Sequence, residues 1–600
     1  MVASAPAAPD RRSVRRARAA TFAVSIGSAV GAFLLFLQVG LADGLDMFDV
    51  LRSLLILIST FWLAWGAAQG LLGLTTRPVR RPDTRAPIRG RTVVLVPVYN
   101  EDPVTTFARI AAMDASIRGE DTGAVFDFAI LSDTTSDVIA AREHLWFLRL
   151  LAQSGGEGRM FYRRRDSNSG RKAGNIENFI QTSGGSYDYA LILDADSLME
   201  GATIAAMVRR MEADPSLGLL QSLPHVVGAR SRFGRIMQFS ASFYSPVFAR
   251  GLAMMQGRTG PFWGHNALVR VRAFAASCGL PELSGPPPFG GHILSHDYVE
   301  AALLARAGWT VRLDDDLQGS FEEGPENIVE YARRDRRWCQ GNLQHARLVG
   351  APGLTGWSRW VFVQGILAYI APLFWLAFIL ASIAAQIFVA PPDYFPLANR
   401  PFPVLPADET AKAIGLAVGI FGLLVLPKLL IAVDAAASGR ARGFGGGVRA
   451  MASTLLELLL SSVMAPIFLM YQTRSVFQVL TGRDGGWPAS NRGDGRMTLA
   501  AAWAASRWIT VTGLIGLTAI SVLAPGLVPW LLPVSLPMIL APLLISWFSQ
   551  DSRSGLMAVP SELNPAPVLR HHENILRAWL GEGATPPAPP GVACAGAVRS

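Results

Sequence analysis

Charged residues are scarce in this chain. Only 16% of its 600 residues are Asp, Glu, Lys or Arg, whereas 50% are hydrophobic and the mean hydropathy is +0.31. Soluble proteins carry about 25% charged residues, so this composition excludes a chain made only of soluble domains and indicates membrane spans. Long apolar runs lie towards both ends, and the region from about 77 to 349 is an ordinary soluble mixture.

Cysteine is scarcer still. Its three positions, Cys278, Cys339 and Cys594, are far apart and follow no metal-ligand spacing. They exclude a disulfide framework and a zinc site, and they agree with a reducing cytoplasm.

The net charge of +9 does not come from a basic patch on a soluble fold. Five arginines between 11 and 18 precede the first apolar run, and four between 77 and 85 follow the second. Under the positive-inside rule both flanks are cytoplasmic, and so is the region that follows them. We therefore expect a lipid bilayer as a partner and no nucleic acid.

The apolar runs predict six spans with both termini in the cytoplasm. They are 21–41, 51–74, 360–389, 411–435, 508–523 and 527–548. The stretch 451–480 is also apolar, but the arginines after it favour the cytoplasm, so we predict an interfacial or re-entrant helix there. The predicted regions are two N-terminal spans (1–76), a cytoplasmic domain (77–350), a membrane region (351–550) and a cytoplasmic tail (551–600).

Short β-branched runs alternate with amphipathic stretches in the cytoplasmic region. This alternation predicts an α/β domain with a mainly parallel sheet, inserted between membrane helices. The predicted strands are 92–99, 126–132, 160–164, 189–193 and 219–223. Ligands of such sheets bind beyond the carboxyl ends of the strands, so the residues that follow each strand are the first candidates for a site.

Acidic clusters follow three of these strands. They are V-P-V-Y-N-E-D (96–102), L-S-D-T-T-S-D (131–137) and L-D-A-D-S (193–197). Asp194 and Asp196 would point to the same side of an extended chain and can share one hard cation, Mg²⁺ or Mn²⁺. Such a metal neutralises the charge on a departing nucleoside diphosphate. A lone D-x-D is more often a solvated turn or helix cap, but the acidic clusters at the ends of two other strands favour a metal site.

Three further segments carry candidate residues. The basic loop 163–175 could hold a diphosphate through Arg171 and Lys172 at a helix N-terminus. G-H-I-L-S-H-D (291–297) contains Asp297, which we predict to be a general base, with a helix cap as the alternative. In R-R-D-R-R-W-C-Q-G-N (333–342), Trp338 offers a flat face to a sugar, with an interfacial aromatic belt as the alternative.

Together these motifs resemble the processive membrane glycosyltransferases of family 2, which include cellulose, chitin and hyaluronan synthases. Within that group the sequence is most similar to the glucans biosynthesis glucosyltransferase H family of Gram-negative bacteria. The resemblance is carried by L-S-D-T-T-S-D, G-R-K-A-G-N-I-E-N-F (170–179), G-P-F-W-G-H-N-A (260–267), S-H-D and R-R-W-C-Q-G-N. It implies a GT-A fold and an inverting transfer of glucose from UDP-glucose to a growing glucan, in the bacterial inner membrane, with export to the periplasm.

The resemblance also implies residue roles. Donor-binding residues are Pro97, Tyr99, Glu101, Asp133, Lys172, Asp194 and Asp196, of which the last two hold the metal and diphosphate. Asp297 is the base, and residues for the acceptor or diphosphate are Trp263, His265, Arg334, Arg337 and Trp338. Arg334 stands where the synthases' Q-x-x-R-W has glutamine, and S-H-D replaces T-E-D, so both departures argue against a cellulose synthase. F-Q-V-L-T-G-R (477–483) resembles their gating loop in position.

Other functions stay open at this point. One is another family 2 polysaccharide synthase or a lipid-carrier glycosyltransferase, although Trp263 and the R-R-W motif favour a glucan acceptor. Another is a transporter that only binds a nucleotide-sugar, but its spans would carry more charges than Lys428 and Asp434. For the synthase we expect UDP-glucose, a glucan acceptor and a periplasmic glucan-processing protein as partners.

Overall fold

The computed structural model describes residues 10–41, 44–77, 86–389, 410–483, 495–552 and 554–581. Residues 582–600 of the predicted tail and three of the four arginines after the second span lie outside them. The helices are α1 (Arg11–Gly40), α2 (Met47–Thr75), α3 (Pro103–Arg118), α4 (Asp137–Ser154), α5 (Arg171–Ser183), α6 (Gly201–Ala213), α7 (Arg232–Phe243), α8 (Ser245–Gln256), α9 (Val271–Ser277), α10 (His296–Arg306), α11 (Ile328–Gln344), α12 (Gly356–Phe388), α13 (Thr410–Ala437), α14 (Gly447–Leu480), α15 (Leu499–Leu523), α16 (Val528–Ile539), α17 (Ala541–Phe548), α18 (Pro560–Leu563) and α19 (Pro567–Gly581).

One large sheet forms the core of the region between the membrane helices. The strands are β1 (Thr92–Val98), β2 (Phe126–Ser132), β3 (Met160–Arg164), β4 (Tyr189–Ile192), β5 (Leu198–Met199), β6 (Leu217–Gln221), β7 (His225–Val227), β8 (Ala267–Arg270), β9 (Thr310–Leu313) and β10 (Ser320–Glu323). The large sheet has the order β3-β2-β1-β4-β8-β6-β9, and β5, β10 and β7 form a small second sheet. In the large sheet β8 alone runs antiparallel to its neighbours, so the predicted mainly parallel sheet is confirmed.

The predicted strands agree with the observed ones to within two residues at each end, and β2 and β3 have the predicted bounds. The central strand β1 is almost entirely apolar because helices cover both of its faces. Val94 and Val96 pack with Phe107 of α3 in one cluster, and Val93 and Leu95 belong to the cluster on the opposite face. The five strands that the sequence did not predict have two to four residues each, too few to show a period of two.

The loop after β1 leads into α3, and the residues at the start of this helix are of the types that favour a helix N-terminus. The Asp102 side chain accepts a hydrogen bond from the Thr105 N–H at 3.0 Å, and Pro103 occupies the first turn, where a missing N–H costs nothing. The predicted helix cap is therefore confirmed. It directs the chain away from the carboxyl edge of the sheet and leaves the residues before it at that edge.

Six described helices are long and apolar enough to cross a membrane: α1, α2, α12, α13, α14 and α15. A seventh crossing is formed if α16 and α17 count as one span, bent by 60° between Pro525–Ile539 and Ala541–Phe548. Pro537 precedes this bend and Pro542 follows it, and prolines remove the backbone hydrogen bonds that keep a helix straight.

Helix α14 covers the stretch for which an interfacial or re-entrant helix was predicted. It is one continuous helix of 34 residues, and it contacts the α/β domain along most of its length. The contacts, in chain order along α14, are Tyr244 with Glu457, Tyr331 with Phe468, and Arg336 with Gln478. These contacts suit an interfacial helix, but α14 is also long and apolar enough to cross a membrane, so its interfacial position stays a prediction. With α14 at the interface, the six predicted spans correspond to the other five long helices and the bent pair.

Candidate active site

Two cavities meet at the carboxyl edge of the large sheet. The first, here the strand-end cavity, has a volume of about 440 Å³ and lies beyond β1, β2 and β4. The second, here the membrane cavity, has a volume of about 920 Å³ and extends from the same edge among α2, α8, α12 and α13. Four side chains line both cavities: Lys172, Asp194, Arg334 and Arg337.

The structure brings every predicted site residue to one of these cavities. Those predicted to bind the donor line the strand-end cavity: Pro97, Tyr99, Glu101, Asp133, Lys172, Asp194 and Asp196. The predicted base and the residues predicted for the acceptor or diphosphate line the membrane cavity: Asp297, Trp263, His265, Arg334, Arg337 and Trp338. Residues up to 241 positions apart in the chain thus surround one connected space.

Asp194 lies at the junction of the two cavities and pairs with Lys172. The Lys172 ammonium also donates to the Gly264 carbonyl oxygen at 2.7 Å, which fixes its position over the carboxylate. Burial raises the pKa of Asp194, but the charges of Lys172 and His265 outweigh it and hold the pKa below its usual range. Asp194 is therefore ionised at neutral pH, next to cationic groups.

Asp133 lies deeper in the strand-end cavity. Both of its carboxylate oxygens accept hydrogen bonds from Arg165, each at 2.7 Å, and its side chain is buried. Its backbone N–H donates to the Val98 carbonyl oxygen at 2.9 Å and so joins the ends of β1 and β2. The two strand ends therefore hold one another, and the bidentate arginine fixes the direction of the carboxylate.

The residues at this edge fit a divalent cation that arrives with a diphosphate. No group of three or more His, Cys, Asp or Glu residues able to hold a metal ion occurs among the described residues. In nucleotide sites, however, Mg²⁺ uses one or two carboxylates and completes its shell with phosphate oxygens and water. Asp194 and Asp196 both line the strand-end cavity, and the lowered pKa of Asp194 keeps it ionised, as a metal ligand must be. GT-A glycosyltransferases commonly use such a metal.

Asp297 is the second residue of α10, and Ser295 occupies the cap position. The alternative of a helix cap is therefore wrong for Asp297, whose side chain lines the membrane cavity. Burial raises the pKa of this carboxyl, and the neighbouring His296 charge opposes the rise in part. His296 in turn lies 3.1 Å from Glu300, measured from Nδ1 to Oε2.

Helix α11 brings the R-R-W motif to the junction. The Arg334 guanidinium lies 4.7 Å from the Trp338 ring centroid, within the range of a cation–π contact. Burial and the Arg334 charge lower the pKa of Arg337 to about 10, so it still carries its charge at neutral pH. Two cationic side chains, Arg334 and Arg337, and the partly exposed indole of Trp338 therefore lie at the junction of the two cavities.

Two acids at this site were missed by the sequence analysis. Glu322 and Glu323 end β10, and Glu322 lies 3.5 Å from the His265 ring nitrogen. Glu323 lines the strand-end cavity and pairs with Arg109 of α3. The signal was the same as for the other clusters, acids at the end of a strand, but β10 has only four residues and was not recognised as a strand.

Comparisons with known proteins agree with this geometry. Residues 93–277 match the family "Glycosyl transferase family 2", and residues 189–397 match "Glycosyl transferase family group 2". A mannosyltransferase from Pyrobaculum calidifontis, solved with GDP-Man and Mn²⁺, covers 65% of this chain and 96% of its own at 15% identity, with a TM-score of 0.44. That likeness is too distant to carry an argument.

Two curated relatives are much more similar, and both are named glucans biosynthesis glucosyltransferase H. The protein from Cereibacter sphaeroides is 66% identical over 96% of this chain and 97% of its own length. The protein from Vibrio cholerae is 39% identical over 91% of this chain and 78% of its own length. The chain is therefore a multi-pass glycosyltransferase of glucan biosynthesis with a GT-A-like domain, and it belongs to the glucans biosynthesis glucosyltransferase H family.

Proposed function

We propose that the chain transfers glucose from UDP-glucose to a growing glucan at the cytoplasmic face of the bacterial inner membrane and passes the product outwards between its helices. The observation that carries this proposal is the set of side chains common to both cavities. Lys172, Asp194, Arg334 and Arg337 stand where the strand-end cavity opens into the membrane cavity. A diphosphate bound there is held from one side while the acceptor approaches from the other.

The strand-end cavity is the proposed donor site. Asp133, held by Arg165, would contact the uridine, and Pro97, Tyr99 and Glu101 supply the wall beside it. Asp194 and Asp196 would hold Mg²⁺ or Mn²⁺ together with the diphosphate. When bound, the metal offsets the negative charge that grows on the leaving diphosphate.

The transfer itself is assigned to Asp297. Its carboxylate takes the proton of the acceptor hydroxyl as that oxygen bonds to the anomeric carbon, while the bond from this carbon to the diphosphate oxygen breaks and UDP leaves. Attack from the side opposite to the leaving group inverts the anomeric centre. Arg334 and Arg337 stabilise the departing charge, and Trp263 and Trp338 offer faces to the acceptor sugar.

The membrane cavity supports a polymer as the acceptor. It extends past Trp62 and Gly66 of α2 and Gln364 of α12, well beyond the site at which a single sugar would bind. A lipid-carrier enzyme needs only a site that opens at the membrane surface. Export and the predicted periplasmic glucan-processing partner stay predictions.

Radiolabelled UDP-glucose and the full chain in lipid nanodiscs test this function. We expect label in polymer that depends on Mg²⁺ or Mn²⁺, is lost on chelation, and falls about a hundredfold in Asp194→Asn, since metal coordination contributes several kcal/mol to the transition state. Asp137→Asn is the matched control, because this carboxylate is 92% exposed and outside both cavities. Equal incorporation from UDP-N-acetylglucosamine, or full activity of Asp194→Asn, would contradict the proposal.

A further inference from the structure

Arg109 is a buried arginine that belongs to none of the motifs. It lies in α3 and is only 4% exposed. Its Nη1 donates to the carbonyl oxygen of Ala195 at 3.1 Å, and its Nη2 donates to the Glu323 carboxylate. One planar guanidinium thus joins the peptide between Asp194 and Asp196 to the end of β10.

The segment that Arg109 contacts is a short turn held by a few side chains. Residues 194–197 form a turn after β4, so the ladder of the large sheet does not hold them. The Asp194 N–H donates to the Ser197 hydroxyl at 2.9 Å, which closes the turn on itself. Lys172 holds one end of the turn through Asp194, and the Ser197 hydroxyl holds the other end by donating to Asn266 Oδ1 at 2.5 Å. Arg109 ties the middle of the turn to α3 and β10, and so it bears on how the peptide between the two carboxylates is placed.

The helix α19 packs on α3, the helix that carries Arg109. The sequence predicted only a tail here, but α19 packs on α3 and α4 and buries Val568, Ile575 and Trp579 in the main core cluster. Its His572 lies near Arg109 and Glu323, and burial lowers the pKa of this imidazole to about 4, with the Arg109 charge acting in the same direction. The neutral ring therefore lies near Arg109 without competing for either charge, whereas 37% of the Glu323 side chain stays exposed.

An aromatic contact anchors the far end of α19. The Trp579 ring lies 5.1 Å from the Trp146 ring of α4, and the Trp579 N–H donates to Gln153. The Arg149 guanidinium lies 5.2 Å from the Trp146 ring and 5.7 Å from the Trp579 ring. Burial of a tryptophan is one of the largest single contributions to docking of a helix.

We propose that α19 and Arg109 act as a strap that positions the Asp194–Asp196 segment for donor binding, with Arg109 as a positioning residue. This inference rests on the proposed donor site. A charge-assisted hydrogen bond to its central peptide makes a turn more rigid, and burial of that bond strengthens it. Without the strap the peptide between the two carboxylates would lose its tie to α3 and β10.

Hydrogen–deuterium exchange on the full chain in nanodiscs tests the strap without reference to activity. In Arg109→Met we expect faster exchange of the peptide covering 193–199 and about tenfold weaker UDP binding in the presence of Mg²⁺, the usual cost of losing one charge-assisted hydrogen bond. The KM for UDP-glucose should rise by a similar factor, with a smaller change in kcat. Arg109→Lys keeps one of the two bonds and should recover part of the loss. Trp579→Ala should act in the same direction with a smaller effect.

Two matched variants control for general destabilisation. Arg118→Met makes the same change in the same helix at a side chain that is 54% exposed and paired with Asp114. Leu580→Ala shortens an apolar side chain of α19 that is 60% exposed. Both should leave exchange at 193–199 and UDP binding at the wild-type values.

Unchanged exchange at 193–199 in Arg109→Met would overturn the strap, as would faster exchange spread evenly over the large sheet. Failure of the proposed function looks different. In that case the wild-type chain fails to use UDP-glucose, while exchange at 193–199 still responds to Arg109 and Trp579.

Discussion

The two cavities that share a junction differ sharply in charge. Beyond the shared side chains, the strand-end cavity is lined by acids and arginines: Glu101, Asp133, Arg171, Asp196, Glu323, Glu330 and Arg333. In the part of the membrane cavity formed by α2, α8, α12 and α13, the described lining has one charged residue, Lys428, among aromatic, apolar and amide side chains. A diphosphate needs compensating charge, whereas a neutral sugar chain needs flat faces and hydrogen-bonding groups that do not hold it tightly.

The single charge in this helix-lined part of the membrane cavity is itself compensated. The Lys428 ammonium donates to both oxygens of Glu457 at 2.8 and 3.0 Å, and this carboxylate also accepts from the Tyr244 hydroxyl. An unpaired buried charge would cost several kcal/mol. The pair joins α13 to α14 and to the α/β domain, and it keeps the cavity wall neutral as a whole.

The largest expected effect separates chemistry from donor binding. Asp297 lines the membrane cavity and not the strand-end cavity. Asp297→Asn should therefore lower kcat about a thousandfold, the usual contribution of a general base, while the dissociation constant of UDP measured by calorimetry stays within about twofold. The exposed Asp121→Asn serves as control. A parallel loss of UDP affinity would mean that Asp297 belongs to the donor site.

A smaller effect is expected from filling the membrane cavity. A Cβ added at Gly66 of α2 meets nothing within 4 Å, and Gly66 lines this cavity. Gly66→Phe should lower polymer yield at least about tenfold, because displacing a bound chain by about 1 Å is already costly to its reaction, and UDP binding should not change.

Gly31→Phe is the matched control for this change. Gly31 of α1 also has open space around its Cβ position, but it does not line the cavity. Polymer yield should be normal in this variant. Equal polymer yields from Gly66→Phe and the wild type would show that the membrane cavity does not hold the glucan, and would contradict the distinction between the two cavities.

The smallest effect concerns pH. Burial raises the pKa of Asp297 above its ordinary value of 3.8, and the His296 charge opposes this rise. The base must be deprotonated, so kcat/KM should fall as the pH decreases through this raised pKa. His296→Gln removes the opposing charge and should move the acid limb of kcat/KM to higher pH. An acid limb that stays in place would show that a different group limits the reaction.

The strand-end cavity could be predicted largely from sequence because its residues follow strands directly. In parallel strands the carboxyl ends must meet at one edge, so Tyr99, Asp133 and Asp194 are neighbours once the strands are recognised. The Arg109–Ala195 contact and Glu323 could not be predicted. Arg109 stands within a helix that shows no motif, and β10 is too short to be recognised by its pattern.

The membrane cavity was much less accessible to sequence reasoning. Apolar runs predict which helices cross the membrane. A helix face that contacts lipid and one that contacts another helix carry similar apolar residues, so the sequence shows no periodic pattern that marks the faces lining a cavity. Hydropathy places α14 among the candidate spans, and only its contacts with Tyr244, Tyr331 and Arg336 favour a position at the interface.

By itself the sequence determined the membrane regions, the mainly parallel sheet and the acids at its edge, because hydropathy and strand periodicity are local properties of the chain. Tertiary structure alone decided that this edge opens into a space between helices, that α19 returns to pack on α3, and that Glu457 neutralises Lys428. Each of these depends on side chains far apart in the chain, and their approach follows from packing that no local pattern records.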